Sequence, residues 1–144
     1  MHDESIMLVL KKTNKKIIKM LSNRYKEMNL DITPNQSKIL MFIYNNKEVE
    51  AKEIGDRVHT NKSSLSKVLN NLENKGYITR TGDKDDTIKK IIRLANKGLK
   101  VVEIIESDAM IIGKELMKGI NKEEYSTFKS VLEKVEDNIE RMTV

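Results

Sequence analysis

The sequence predicts a mainly α-helical chain carrying one small β-hairpin. Three observations support that prediction. Apolar residues recur at helical spacing over most of the 144 positions. Two β-branched runs, "YITRT" and "IKKIIRL", flank a loop rich in turn formers, "GDKDDT". Helix-starting and helix-stopping residues punctuate the rest. Only 4 % of the chain is aromatic, so the core must be aliphatic, built largely from Ile, Leu, Val and Met.

Asp3 or Ser5 opens a first helix, with Ile6, Val9, Leu10, Thr13, Ile17, Met20, Leu21 and Met28 at helical spacing and lysines between them. A break follows at "NLDITPNQ". There Thr33 serves as N-cap, Pro34 takes the first helical position and Gln36 completes a capping box. The second helix, about Thr33 to Tyr44, is apolar at five successive residues from Ile39 to Ile43, which implies burial on most sides. A turn, a short extended piece around Val49 and a short helix of about Lys52 to Val58 come next. Asn61 caps a helix of about Lys62 to Asn74, whose Leu65, Val68, Leu69 and Leu72 form one stripe. Gly76 terminates it, and the hairpin follows with its tip at Gly82 to Asp86. A long helix of about Leu99 to Lys118 presents Val102, Ile105, Ala109, Ile112 and Leu116, and Gly119 ends it. Asn121, with Glu124 as capping-box partner, starts a last helix whose apolar face is Tyr125, Phe128, Leu132, Val135 and Ile139.

Composition narrows the function. The formal net charge is +5. Residues 1–32 hold 7 basic and 4 acidic side chains, residues 33–98 hold 13 and 8, and residues 99–144 hold 7 and 10. The middle of the chain therefore carries a field that attracts polyanions. There is no cysteine, which excludes disulfides, thiol oxidation and Cys-based zinc sites. Two histidines, His2 and His59, are too few for a His-rich metal site. No apolar run approaches the roughly 18–20 residues of a membrane span. "MHDESIMLVLKK" has acids where a secretory signal wants positive charge, so a cytoplasmic protein is expected. No cofactor is implied. Carboxylates are plentiful, but no Gly-rich phosphate loop, oxyanion hole or orienting partner accompanies them, so catalysis is not expected. "GDKDD" lacks the spaced acids and final Glu of a calcium loop.

The segment 51–74 has the pattern of a helix-turn-helix. Counted from Ala51, Ile54, Val58, Leu65 and Val68 fall where two helices pack, Gly55 falls where they approach closely, and His59 falls in the turn. If the leucine stripe faces inward, then Lys62, Ser63, Ser66, Lys67, Asn70 and Asn74 face outward, and Asn61 and Ser64 at the helix start join the candidate DNA contacts. Ser and Asn hydrogen-bond base edges, and Lys reaches guanine or phosphate. The outer face of such a helix enters the DNA major groove, its N-terminal part nearest the bases. The hairpin directly after it has the pattern of a wing, with Lys84, Lys89 and Lys90 as its positive charges. The rival reading is a protein-binding winged helix that docks the same face on an acidic protein.

At this level of detail the chain resembles the MarR family of bacterial winged-helix transcription regulators. The resemblance rests on "LDITPNQSKILMFI", "AKEIGDRVHTNKSSLSKVLNNLENKGYITR", the wing "RTGDKDD" and "RLANKG", in that order and spacing. It implies a winged helix-turn-helix over residues 33–98, with residues 1–32 and 99–144 supplying flanking dimerisation helices. Those helices also carry more apolar surface than one small domain needs. The family pattern places two arginines after the second wing aspartate, where this chain has Thr87 and Ile88. Any minor-groove contact therefore passes to Lys84, Lys89 or Lys90, which lack the guanidinium fork, or is lost. Arg80 matches a family arginine and is expected to pair with Asp83 or Asp86, bracing the wing. The resemblance further implies a homodimeric repressor on a pseudo-palindromic operator. It also implies release by a small molecule, for which Met20, Arg24, Met28 and Met41 are the candidate lining. A regulator without an effector is the alternative.

Overall fold

The computed structural model describes residues 5–58, 60–82 and 90–143. Among the described residues, six helices and three short strands succeed one another: α1 (Ile6–Glu27), α2 (Pro34–Asn46), β1 (Glu48–Glu50), α3 (Ala51–Val58), α4 (Lys62–Asn74), β2 (Ile78–Thr81), β3 (Ile91–Leu94), α5 (Asn96–Leu116) and α6 (Lys122–Met142). This is the mainly α fold with a small antiparallel sheet that the sequence predicts. The hairpin, however, recruits the extended piece at Val49 as a third strand.

Helix boundaries follow local chemistry. At the start of α2, the Gln36 amide donates to Thr33 Oγ1 at 3.1 Å and the Thr33 amide donates to Gln36 Oε1 at 3.1 Å. Pro34 occupies the first helical position, where no intrahelical donor is needed. Asn121 and Glu124 make the same reciprocal pair at the start of α6, at 2.8 and 3.0 Å. At the end of α4, Gly76 takes φ +79°. Its amide donates to the Glu73 carbonyl at 2.9 Å and the next amide, of Tyr77, donates to the Leu72 carbonyl at 3.0 Å. That pair of bonds satisfies carbonyls the helix would otherwise leave open, and it turns the chain straight into β2. Met28 caps α1, and Asn29 performs the same turn at φ 57°.

The sheet order is β1-β3-β2, all antiparallel, with β3 in the centre. Val49 stands opposite Ile92 and Ile78 opposite Leu94. The chain divides into two compact units, Met1–Glu106 and Ser107–Val144. In the first, an aliphatic core gathers Leu40 and Ile43 of α2, Ile54 of α3, Leu72 of α4, Ile92 of β3 and Val102 of α5, each fully buried. The helix α2 is less enclosed than its apolar run predicts: Met41 and Phe42 are half-buried and Tyr44 is exposed. Residues 6–19 of α1 are exposed along their whole length, including Ile6, Leu8 and Val9. In the second unit, α6 buries none of its residues, and Tyr125, Phe128 and Ile139 stand about half exposed. On α5, Val102, Ile105 and Ile112 are buried as the spacing predicts, whereas Ala109 and Leu116 are exposed.

Candidate nucleic-acid interface

The site is built on α4. Its start is set by Asn61, whose side chain accepts from the Ser64 amide at 2.8 Å. Leu65, Leu69 and Leu72 are buried, Val68 half-buried, so the apolar stripe turns inward as its spacing predicts. The helix α3 packs against it through Ile54 and Gly55. A Cβ on Gly55 would stand 3.2 Å from Leu65 Cδ2, so the small residue sets the approach of the two helices. His59, read as a turn residue, lies outside the described residues.

With the leucines inside, the opposite face carries Asn61, Lys62, Ser63, Ser64, Ser66, Lys67, Asn70 and Asn74, all exposed. This face offers three hydroxyls, three amides and two ammonium groups on one short helix. Such groups hydrogen-bond phosphate oxygens and base edges. Beside the helix, a cavity of about 340 Å³ has Gly55, Leu65, Leu69 and Ile92 among its apolar lining and Lys62, Ser66, Arg80 and Lys90 among its polar lining. Lys90 is half-buried there. The remaining wing residues named from the sequence, Asp83, Lys84, Asp86 and Lys89, lie outside the described residues.

The wing partners expected of Arg80, Asp83 and Asp86, lie outside the described residues. Within the described residues, this β2 side chain is bound to α4. Its Nε donates to Glu73 Oε2 at 3.1 Å and its Nη2 donates to Glu73 Oε1 at 2.8 Å. The same Nη2 donates to Asn70 Oδ1 at 2.6 Å. The physical reason is the turn at Gly76, which folds β2 back along α4 and places a guanidinium against the carboxylate seven residues earlier. The Arg80 hydrogen bonds hold the Glu73 carboxyl below its ordinary range, and the Glu73 hydrogen bond raises Arg80 in turn. Sequence reading missed Glu73, because no helical or strand periodicity connects positions on opposite sides of a helix terminator.

Two further links position α4. Gln36 Nε2 donates to Asn71 Oδ1 at 2.9 Å, joining α2 to α4. Lys75 bridges to Asp31 at 3.2 Å, and the Tyr77 hydroxyl donates to the Asp31 carbonyl at 3.1 Å. Of the effector candidates, Met28 and Met41 pack against the core, while Met20 and Arg24 are half-buried on α1. Among the described residues, no three His, Asp or Glu side chains gather as a metal site, and no helix is long and apolar enough to cross a membrane.

Residues 30–87 match the sequence profile of the MarR family. The chain is 27 % identical over 114 residues to the uncharacterized HTH-type transcriptional regulator YybA of Bacillus subtilis, covering 78 % of this chain and 75 % of that protein. It is 34 % identical over 86 residues to the HTH-type transcriptional regulator SarZ of Staphylococcus aureus, covering 60 % of this chain and 57 % of SarZ, less than two thirds of that relative's length. Among solved structures, Streptococcus pneumoniae FabT in complex with DNA superposes with a TM-score of 0.80 at 18 % identity, covering 95 % of this chain and 96 % of that one. That likeness is one of fold. YybA and SarZ are transcription regulators, not enzymes.

Proposed function

The winged helix of this chain belongs to the MarR family of transcription regulators, and from that premise we propose a homodimeric, sequence-specific DNA-binding repressor released by a small-molecule effector. The observation that carries the proposal is the exposed face of α4, with Lys62, Ser63, Ser66, Lys67 and Asn70 displayed above a buried leucine stripe. FabT, which has this fold, is bound to DNA in its own structure. In this reading α4 is the recognition helix and lies in the major groove. The Lys ammonium groups neutralise phosphates, and the Ser and Asn side chains meet base edges. Lys84, Lys89 and Lys90 serve the adjacent backbone or minor groove.

Dimerisation is supported by the exposed apolar side chains of α1 and α6. Ile6, Leu8 and Val9 on one helix, and Tyr125, Phe128 and Ile139 on the other, are 41–56 % exposed. Apolar surface of that extent marks an interaction face. A two-fold dimer presents two copies of α4 to half-sites about 34 Å apart, one turn of DNA. Residues 1–32 and 99–144 then form the dimerisation elements around the DNA-binding segment 33–98. The effector is assigned to Met20, Arg24, Met28 and Met41, on the side of α1 and α2, where a cation and three adaptable thioethers meet a small molecule.

The test is titration against the chain's own upstream intergenic duplex and against random duplex, at ~50 and ~200 mM salt. A protein making about six phosphate contacts loses about 10³-fold in affinity over that range. The proposal expects tighter binding to the upstream fragment that persists over random DNA. Equal and weak binding to both would favour the protein-docking reading of the same face. A thermal-shift screen of aromatic acids, lipophilic cations and acyl chains tests the effector, and no shift across the panel would favour a regulator without one.

A further inference from the structure

Asn70 is an exposed residue of the recognition face, yet its side-chain carbonyl is already engaged. Arg80 Nη2 donates to Asn70 Oδ1 at 2.6 Å. The guanidinium is itself immobilised, because its Nε and Nη2 grip the two oxygens of Glu73 at 3.1 and 2.8 Å. Nη2 carries two protons, and the two bonds it makes use both. Arg80 is four-fifths buried at its side chain, so the fork has little freedom to leave. Glu73 is held ionised by the same contacts, and Lys90 adds to that field.

This arrangement restricts what Asn70 offers a ligand. A free Asn presents a donor and an acceptor, and it reads adenine by accepting from N6 while donating to N7. Here a guanidinium N–H takes one of the two lone pairs of the carbonyl oxygen, so an adenine N6–H has one acceptor site instead of two, on a side chain already held in place. One lone pair of that oxygen and the two amide N–H groups remain. Those donors suit guanine, with its two acceptors O6 and N7, or thymine O4, whereas adenine sets its N7 acceptor beside the N6–H donor.

We propose that Arg80 and Glu73 are positioning residues that pin the Asn70 amide by its carbonyl oxygen and so shift its reading toward guanine or thymine and away from adenine. The inference rests on the DNA-binding reading of α4. It also gives Arg80 a role separate from bracing the wing: β2 sets the hydrogen-bonding polarity of a side chain on α4.

The experiment is selection of bound duplexes from a randomised pool, sequenced for wild type, Asn70→Ala, Arg80→Lys and Glu73→Gln. The Asn70→Ala pool identifies the position Asn70 reads, as the one whose preference disappears. At that position wild type is expected to favour guanine or thymine over adenine by about tenfold, within the range of one good side-chain-to-base pair. Arg80→Lys keeps the charge but loses the fork, and Glu73→Gln keeps the shape but loses the anchoring charge. Both are expected to flatten that preference to about twofold or turn it toward adenine, with other positions unchanged. A purely wing-bracing Arg80 would lower affinity without changing the preferred base. Three results would overturn the positioning role alone: an adenine preference in wild type at the Asn70 position, no position altered by Asn70→Ala, or an unchanged preference in both Arg80→Lys and Glu73→Gln. A wild-type pool with no enriched sequence would overturn the DNA reading itself, and this inference with it.

Discussion

Gly98, in the first turn of α5, faces the backbone at the start of β2. A Cβ added there would stand 2.0 Å from the Tyr77 carbonyl oxygen and 2.9 Å from its carbon. Packed interiors do not yield easily to such an intrusion, so the backbones must part by about 1 Å or more. Neither side is free to move. The Tyr77 carbonyl accepts the Ala95 amide at 3.0 Å, Tyr77 is 3 % exposed, and Gly76 before it is committed to φ +79°. Overpacking a core costs about 1–3 kcal/mol. A buried carbonyl parted from its donor adds about 1–3 kcal/mol. Gly98→Ala is therefore expected to destabilise the chain by about 3–5 kcal/mol. For a protein of this size that lowers Tm by about 10 °C or more. Urea denaturation and thermal melts at fixed protomer concentration measure it. Gly113, on the same helix, is the control: nothing lies within 4 Å of its added Cβ. There the helix-propensity gain of alanine, about 0.5–1 kcal/mol, stands alone and Gly113→Ala is stabilising. A Gly98→Ala protein within about 0.5 kcal/mol of wild type would refute the close approach of α5 to β2.

Two other outcomes follow from the geometry. The Glu73 carboxyl is lowered from an ordinary value of 4.5, first by the Arg80 hydrogen bond. Its contribution to stability is full above that value and fades as pH falls through the lowered folded one. The stability gap between wild type and Glu73→Gln is therefore expected to be constant at neutral pH and to close in acid. It should amount to about 1 kcal/mol or less, because the Glu73 side chain is 38 % exposed. A gap that widens in acid, measured by denaturation at a series of pH values, would contradict this sign. Sedimentation is expected to give a particle of twice the 16.6 kDa chain mass at micromolar concentration. Tyr125→Glu with Phe128→Glu is expected to shift it toward monomer, and an unchanged dimer in that variant would remove the α6 face from the interface.

What the sequence makes legible here is local. Thr33 with Gln36, Asn121 with Glu124, and Asn61 with Ser64 act across three residues, so their hydrogen bonds are visible as spacing. Gly76 is legible for the same reason: a glycine after a periodic stretch supplies the positive φ that the terminator needs. The inward turn of Leu65, Leu69 and Leu72, and hence the outward face, follows from helical period alone. The third strand is harder to see, because Glu48–Glu50 has three residues and its pairing to β3 spans about forty positions of sequence. The tie of Arg80 to Glu73 and Asn70 is not legible, since it depends on how sharply β2 returns along α4. The half-exposed apolar face of α6 is legible as a face, but periodicity says nothing about what covers it.

The central claim is that the outer face of α4 meets DNA. Its most direct test is binding of Lys62→Glu with Lys67→Glu to the duplex that wild type prefers, at ~200 mM salt. Both side chains are exposed and absent from the core, so the variant is expected to fold with near-wild-type stability. Each reversal removes a phosphate or base contact and puts a carboxylate against the backbone charge. Affinity is expected to fall by about 10²-fold or more, with a shallower salt dependence in what remains. Wild-type affinity in a folded double variant would contradict it.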